Sequence, residues 1–344
     1  MSFIAAAIQA FEEAPAPDAV SRAAIGLLVG NASRRLSKGA ANLEADFARD
    51  MARFPVAEHA DAANAQHYEV PAEFFAQVLG PHRKYSSCHY DAAHDDLPSA
   101  EARALAETCA HADLANGHKV LELGCGWGSL SLWMAEHYPR SAITAVSNSA
   151  SQRRYIEETA VRRGLTNLTV ITADMNAFAT DSRFDRIVSV EMFEHMANWR
   201  ELLSRARGWL KPDGRLFIHV FTHRTAPYRF DVHDKTDWIA QHFFTGGVMP
   251  SHGLMFEFPD LFTVEADWRW SGEHYRRTAL HWLENFDRNE ATIMPILRDV
   301  YGDQARLWKR RWRLFFLATA GLFGHAGGAE WGVSHYLLAP VQGR

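Results

Sequence analysis

The chain predicts an α/β fold built on a doubly wound, mostly parallel sheet, and three observations lead there. From residue 118 onward, short apolar runs alternate with segments of helical spacing, the pattern of strands joined by crossover helices. The run Lys119-Val-Leu-Glu-Leu passes directly into Gly-Cys-Gly-Trp-Gly and then into a helical pattern, so Gly124, Gly126 and Gly128 fall at the carboxyl end of the first strand. Open α/β sheets bind ligands at that edge, and glycine lets a ligand approach the main chain closely. Residues 1 to about 65 are alanine-rich and lack strand patterning, which puts an all-helical arm ahead of the sheet.

Helical spacing in the arm runs through Ile25, Leu28, Val29 and Leu36, and again through Leu43, Phe47 and Met51. Pro71 opens a short helix over Ala72–Leu79, which Gly80-Pro81 ends, and a further helix fits Ala100–Cys109. The strands expected next are Lys119–Leu123, Ala142–Val146, Leu168–Thr172, Phe184–Val190 and Arg215–Phe221. Helices at Ser129–His137, Ala150–Arg163 and Trp199–Leu210 separate them, and Pro212-Asp213-Gly214 reads as a tight turn feeding the last strand. Residues 222–258 break the alternation with histidine, aromatic and Gly-Gly residues and are too long for a simple connection, so they read as a lid or substrate insertion. A strand over Leu261–Trp270, helices within Gly272–Phe323 and a terminal strand over Gly332–Ala339 complete the chain. The resulting division is a helical arm or cap over 1–117 and a ligand-binding domain over 118–344, which carries the 222–258 insertion and a helical segment around 272–325.

At 344 residues and 47% hydrophobic, the chain can bury a sizeable core. A formal net charge of -5 offers no basic footprint for nucleic acid. Cys88, Cys109 and Cys125 form no CxxC pair, and an odd number of cysteines argues for a reducing compartment rather than a disulfide framework. The N-terminus lacks the basic start of a signal peptide, and no apolar run is long enough to span a bilayer, so a cytoplasmic location is expected. His219 and His223 lie four apart, but at a strand end and its following loop rather than on one helical face, and no HExxH occurs; no catalytic metal is expected.

Three cofactor classes compete for the glycine loop. A dinucleotide site wants GxGxxG and an acid after the second strand, whereas this chain has Gly-Cys-Gly-Trp-Gly and Val146-Ser147-Asn148. A P-loop is excluded because no Gly-Lys-Ser/Thr follows. S-adenosylmethionine (SAM) keeps the glycine loop, although many SAM enzymes also use an acid after the second strand.

The sequence resembles the cyclopropane fatty acid synthase superfamily of SAM-dependent methyltransferases, and within it the coclaurine-type N-methyltransferase branch. The resemblance rests on Gln66-His-Tyr-Glu-Val-Pro-Ala-Glu-Phe-Phe75, Ser87-Cys88, Leu121 to Gly128, Ala145-Val-Ser-Asn-Ser-Ala-Ser-Gln152, Glu191-Met-Phe-Glu-His-Met196, Ser271-Gly-Glu-His-Tyr275 and Glu330-Trp331. It implies the class I SAM-methyltransferase fold, a Rossmann-like, doubly wound seven-stranded sheet with a helical N-terminal arm and a helical insertion or lid. It also replaces the missing acid with Ser147 and Gln152, flanking Asn148. Tyr68 and Ser87 would touch the amino-acid part of the cofactor, Asp174 and Met175 would hold the adenine, and Glu191 would lie beside the cofactor. Tyr85 is out of register with the tyrosine that usually precedes the Ser-Cys pair.

Ser189-Val-Glu-Met-Phe-Glu-His195 follows the fourth strand, so Glu191, Glu194 and His195 emerge at the ligand edge. Methyl transfer is an in-line displacement dominated by alignment, but an amine acceptor must lose a proton, which carboxylates beside a histidine can take. The N-methyltransferase branch has this arrangement. The competing reading is cyclopropanation or C-methylation of an unsaturated acyl chain, assisted by a bicarbonate ion whose family pocket maps onto Cys88, Glu194, His219 and Tyr275. Glu191 pulls the other way, because lipid cyclopropane synthases usually carry glycine there. A non-catalytic SAM- or lipid-binding module is the distant third reading. The expected partner is a hydrophobic small molecule or acyl chain, with a homo-oligomer compatible. The basic, aromatic run Arg306–Phe316 suits either transient membrane contact or an amphipathic helix that packs Leu307, Trp312, Phe315 and Phe316 inward.

Overall fold

The computed structural model describes residues 12, 16–37, 42–58, 70–234 and 237–342. The arm is helical as its spacing predicts, with α1 (Asp18–Leu36), α2 (Leu43–Met51), α3 (Ala72–Val78) and α4 (Leu97–His111). α4 starts three residues earlier than expected because Asp96 caps it, accepting from Ser99 N at 2.9 Å, and Pro98 sits in the first turn where no amide donor is needed.

Strand and helix then alternate through β1 (Lys119–Leu123), α5 (Ser129–His137), β2 (Ala142–Ser147), α6 (Ala150–Arg163), β3 (Leu168–Thr172), β4 (Phe184–Val190), α7 (Trp199–Trp209) and β5 (Leu210–His223). The insertion forms β6 (Tyr228–Arg229), α8 (Trp238–His242) and β7 (Val248–Met249), with β6 and β7 making a separate two-stranded sheet. β8 (Phe262–Ser271), α9 (Gly272–Arg288), α10 (Glu290–Tyr301), α11 (Ala305–Phe323) and β9 (Trp331–Pro340) follow.

The main sheet has seven strands in the order β3-β2-β1-β4-β5-β9-β8. β1 to β5 are parallel, and β9 runs antiparallel between β5 and β8. Strand order reverses beside β1, so the β1–α5 loop opens at the topological switch point.

One expectation is corrected. Pro212-Asp213-Gly214 is not a turn before the strand but an excursion within it: the ladder pairs Phe184 with Leu210 and then Arg186 with Arg215. The turn-prone residues are absorbed as extra chain in one strand, and pairing resumes beyond them.

The arm and the C-terminal helices share one apolar cluster, in which Phe74 and Phe75 pack against Trp312 and Phe286 meets Phe316. A second cluster lies beneath β4 and β5, with Trp199, Leu202 and Leu216 fully covered. α11 buries Trp312, Phe315 and Phe316 while Leu307 is half-buried, as an amphipathic helix should. Its basic residues are not simply solvated: Arg311 reaches the Glu12 carboxylate, Arg313 pairs with Asp18 and Asp287, and Lys309 meets Glu290. Among the described residues no helix is long and apolar enough to cross a membrane.

Candidate active site

β1 ends at Leu123, and the backbone N–H groups of Gly124 and Cys125 both donate to Val146 O, at 3.0 and 2.9 Å, tying the glycine loop to the end of β2. Gly124, Gly126 and Gly128 have φ values of +79°, +50° and +77°, a region costly for other residues. Their surroundings differ. A Cβ on Gly124 would lie 2.5 Å from the Met192 side chain and one on Gly128 2.6 Å from Ile156, whereas one on Gly126 meets nothing within 4 Å. Close packing requires the outer two glycines, and Gly126 alone offers bare backbone to open space in the cleft.

Ser147, Asn148 and Gln152 line the same cleft. Ser147 Oγ donates to Gln152 Oε1 at 2.7 Å, and the buried Gln152 Nε2 donor has no hydrogen-bond partner among the described residues. Asp174 and Met175 face it from beyond β3, with Asp174 Oδ1 accepting from Asn176 N at 2.7 Å. Open space over Gly126, an orphaned buried donor at Gln152 and a cleft-facing carboxylate at Asp174 fit the amino-acid, ribose and adenine parts of SAM. Trp127 forms an aromatic shelf beside them, packed on Phe75 at 5.1 Å.

The other side of the cleft is acidic. Ser189 Oγ donates to Leu123 O at 3.0 Å, locking the end of β4 to β1, and the chain then turns at Glu191 with φ +46°. A non-glycine residue there carries strain of about 1 kcal/mol, and a dense set of bonds holds it. Glu191 N donates to His219 O at 2.8 Å. Its carboxylate accepts from Ser87 N at 2.9 Å, sits 3.2 Å from His219 Nε2 and accepts from Tyr275 OH at 2.7 Å. Burial raises the Glu191 pKa, opposed by the Lys84 charge and by the Ser87 and Tyr275 hydrogen bonds.

Glu194 follows in a short 3-10 turn, fully buried and lining the cleft, and neither of its carboxylate oxygens has a hydrogen-bond partner among the described residues. Burial, reinforced by the neighbouring Glu191 charge, pushes its pKa well above the usual carboxylate range. The His195 ring stacks on Phe244 of the insertion at 4.7 Å. Phe244, Tyr275, Trp282 and Phe315 give this side an apolar wall, and Val56 O in the arm accepts from Ala197 N at 2.8 Å, bracing the acidic turn from outside.

The structure thus brings Gly126, Ser147, Asn148, Gln152, Asp174, Met175, Glu191, Glu194, His195 and Tyr275 to one cleft. Ser87 and Cys88 are fully buried behind it, and Ser86 is the serine that faces the cavity. The Cys88 thiol lies 3.8 Å from Ser86 O, and burial pushes its pKa up, so it is a protonated, unreactive group. His219 lies behind Glu191 rather than in the cleft. Tyr68 lies outside the described residues.

Several residues escaped the sequence reading. Lys84 is buried, donating to Ser86 Oγ at 2.5 Å and Ser87 O at 2.6 Å, and burial pushes its ammonium below the usual lysine range. Glu101 on α4 accepts from the backbone N–H groups of Gly80, His82 and Lys84, shaping the loop that delivers Ser86 and Ser87. His335 on β9 bonds His219 Nδ1 at 2.8 Å. No local pattern marks these residues; their roles come from chain-distant neighbours.

A glycine loop at the switch point, an acid-free second strand answered by Ser147 and Gln152, and buried acids behind the fourth strand define a SAM-dependent methyltransferase. Residues 57–326 match the mycolic acid cyclopropane synthetase family, and the chain belongs to it. It is 35% identical over 298 residues to (S)-coclaurine N-methyltransferase of Thalictrum flavum subsp. glaucum, covering 85% of this chain and 82% of that one. It is 31% identical over 260 residues to the cyclopropane-fatty-acyl-phospholipid synthase of Escherichia coli (strain K12), covering 75% and 63%. Among solved structures, coclaurine N-methyltransferase bound to N-methylheliamine and SAH aligns with a TM-score of 0.90 and 32% identity over 96% of this chain and 97% of the other.

Proposed function

We propose that this enzyme methylates the nitrogen of a hydrophobic amine, which Glu194 and Glu191 hold and relieve of its proton. The observation that carries this reading is the Glu194 carboxyl: completely buried, facing the cleft, with both oxygens unpartnered among the described residues. A buried polar group without a partner costs about 1–3 kcal/mol, more when charged, and an amine N–H supplies the missing donor. Raised proton affinity makes the two carboxylates stronger bases toward an ammonium than exposed ones would be. The aromatic wall suits an apolar acceptor and stabilises positive charge on its nitrogen.

Bound SAM supplies an electrophilic methyl group on a sulfonium centre. Gly126, Ser147, Gln152 and Asp174 hold that cofactor, Glu194 and Glu191 orient the acceptor nitrogen, and Trp282 and Phe315 exclude water from the acceptor side.

A bicarbonate ion does not fit the pocket expected for it. The donors that would bind such an anion, His219 and Tyr275, are already engaged by the Glu191 carboxylate. Glu191 thereby supplies a tethered carboxylate in place of a dissolved one, which reconciles the presence of His219 and Tyr275 with an amine mechanism. An acceptor drawn from solution is also supported by α11, whose Lys309, Arg311 and Arg313 are committed to internal ion pairs rather than free for a lipid surface.

The test is incubation of purified enzyme with SAM and heliamine, the unmethylated form of the ligand in the similar solved structure. Product carrying one added methyl on nitrogen is expected. No turnover across a panel of apolar secondary amines, beside a 14-mass-unit gain on unsaturated acyl chains in lipid extracts of expressing cells, would overturn the reading in favour of the alkene chemistry.

A further inference from the structure

A row of imidazoles leads from the acid cluster to the protein surface. The Glu191 carboxylate is 3.2 Å from His219 Nε2, His219 Nδ1 is 2.8 Å from His335 Nε2, and His335 Nδ1 is 2.8 Å from His111 Nδ1. His219 and His335 are completely buried and face each other across the β5–β9 ladder. His111 is half-buried at the end of α4, its ring stacked on Trp268 at 3.9 Å. Its Nε2 has no partner among the described residues and is not enclosed.

We propose that His219, His335 and His111 form a proton exit that carries the acceptor's proton from Glu191 to solvent. This rests on the amine reading above. None of the three rings is required to touch the acceptor; they act through Glu191.

The order of the contacts makes the transfer balance. Before it, Glu191 is a carboxylic acid, His219 and His335 carry hydrogen on Nδ1, and His111 carries it on Nε2. The Glu191 proton passes to His219 Nε2, the His219 Nδ1 proton to His335 Nε2, the His335 Nδ1 proton to His111 Nδ1, and the His111 Nε2 proton to water. Glu191 ends as a carboxylate accepting from His219 Nε2–H, every ring ends neutral with one hydrogen, and one proton has left. Each ring accepts on one nitrogen and releases from the other. A neutral imidazole does this without a net change of charge, because one ring nitrogen is an acceptor and the other a donor.

Burial holds His219 and His335 well below the usual imidazole pKa, so both rings are neutral, the state the exchange requires. A merely structural role accounts poorly for the row. Two imidazoles packed against Trp270, at 5.5 and 4.3 Å, incur a desolvation cost that an apolar pair at adjacent strand positions would avoid.

Two measurements on the full chain test the proposal. Long-range 15N–1H spectra of the histidine rings, which need no acceptor, should show His219 and His335 neutral, each in one tautomer and in the same sense. A protonated His335, or tautomers of opposed sense, would overturn the exit. With heliamine as acceptor, His335→Gln, which keeps a hydrogen-bonding side chain but cannot relay, should lower kcat about tenfold while leaving KM and SAM affinity unchanged. His111→Ala should lose a similar factor and regain it with added imidazoles in proportion to their basicity. An unchanged kcat in His335→Gln, or rescue of His111→Ala that ignores basicity, would also overturn it. If the wild-type enzyme methylates no amine, the functional reading fails by itself, and the ring spectra still decide whether the relay exists.

Discussion

The two sides of the cleft are built on opposite principles. The cofactor side comes from loops at the ends of β1, β2 and β3, and it presents bare backbone at Gly126, the Gln152 amide and the Asp174 carboxylate to the cleft. The acceptor side gathers Lys84, Glu191, Glu194 and Tyr275 from segments far apart in the chain, with His219 behind them, and it works through buried ionisable groups. A SAM-binding loop can therefore be formed by one strand–turn–helix unit, whereas the acceptor chemistry exists only when the arm, the sheet and α9 have docked. Substitutions on the first side should move cofactor affinity, and those on the second should move turnover.

The largest effect is expected at Glu194. Glu194→Gln keeps the shape but removes the base, and kcat should fall about 10²- to 10⁴-fold, with SAM affinity by calorimetry within a factor of two or so. A comparable loss of SAM affinity would collapse the distinction between the sides.

Next is a cost hidden under the cofactor side. Glu122 is buried in β1 beside Ser131, and burial pushes its pKa up to about 7. The folded state therefore holds this proton more tightly than the unfolded chain, so stability from this group is full below about pH 4.5 and declines as pH rises toward 7. Glu122→Gln should match wild type near pH 4.5 and exceed it by on the order of 3 kcal/mol at pH 8 in urea unfolding. Glu101, also pushed up to about 7, leaves a residual slope in the variant. Equal stability at pH 8 would show that Glu122 is ionised at little cost.

Gly126→Val comes third. A branched side chain at φ +50° that projects into open cleft should weaken SAM by about 30-fold, while backbone strain lowers the melting temperature by only a few degrees. Loss of folding instead would put Gly126 with its packed neighbours Gly124 and Gly128.

Tyr275→Phe should be mildest, removing one hydrogen bond to Glu191 and reducing kcat about tenfold. Because that bond holds Glu191 below the pKa its burial would impose, the acidic limb of the pH–rate profile should move to higher pH. A shift to lower pH would mean that Tyr275 opposes ionisation of Glu191.

The same contrast explains what the sequence disclosed. Strand–helix alternation, the glycine loop, and Glu191, Glu194 and His195 are short-range patterns, legible because a strand end delivers neighbouring residues to one edge, whereas Ser147 with Gln152 came only through the family resemblance. Pro212-Asp213-Gly214 was misleading because turn chemistry is local, while the decision to continue the β4–β5 ladder around it is not. The swap of Ser86 for Ser87 at the cavity surface follows from Glu101, which sets the loop's path from another helix. Lys84, His335 and His111 carry no signal of their own: each is an ordinary polar residue until the fold surrounds it.

The left-handed backbone at residue 191 has an evolutionary consequence. It is a conformation made for glycine, so the main chain needs no remodelling to exchange glycine for glutamate, and some codons of the two differ by a single base. A lineage acquiring the glutamate would gain a carboxylate built into the chain and present at full occupancy, with no anion to collect from solution.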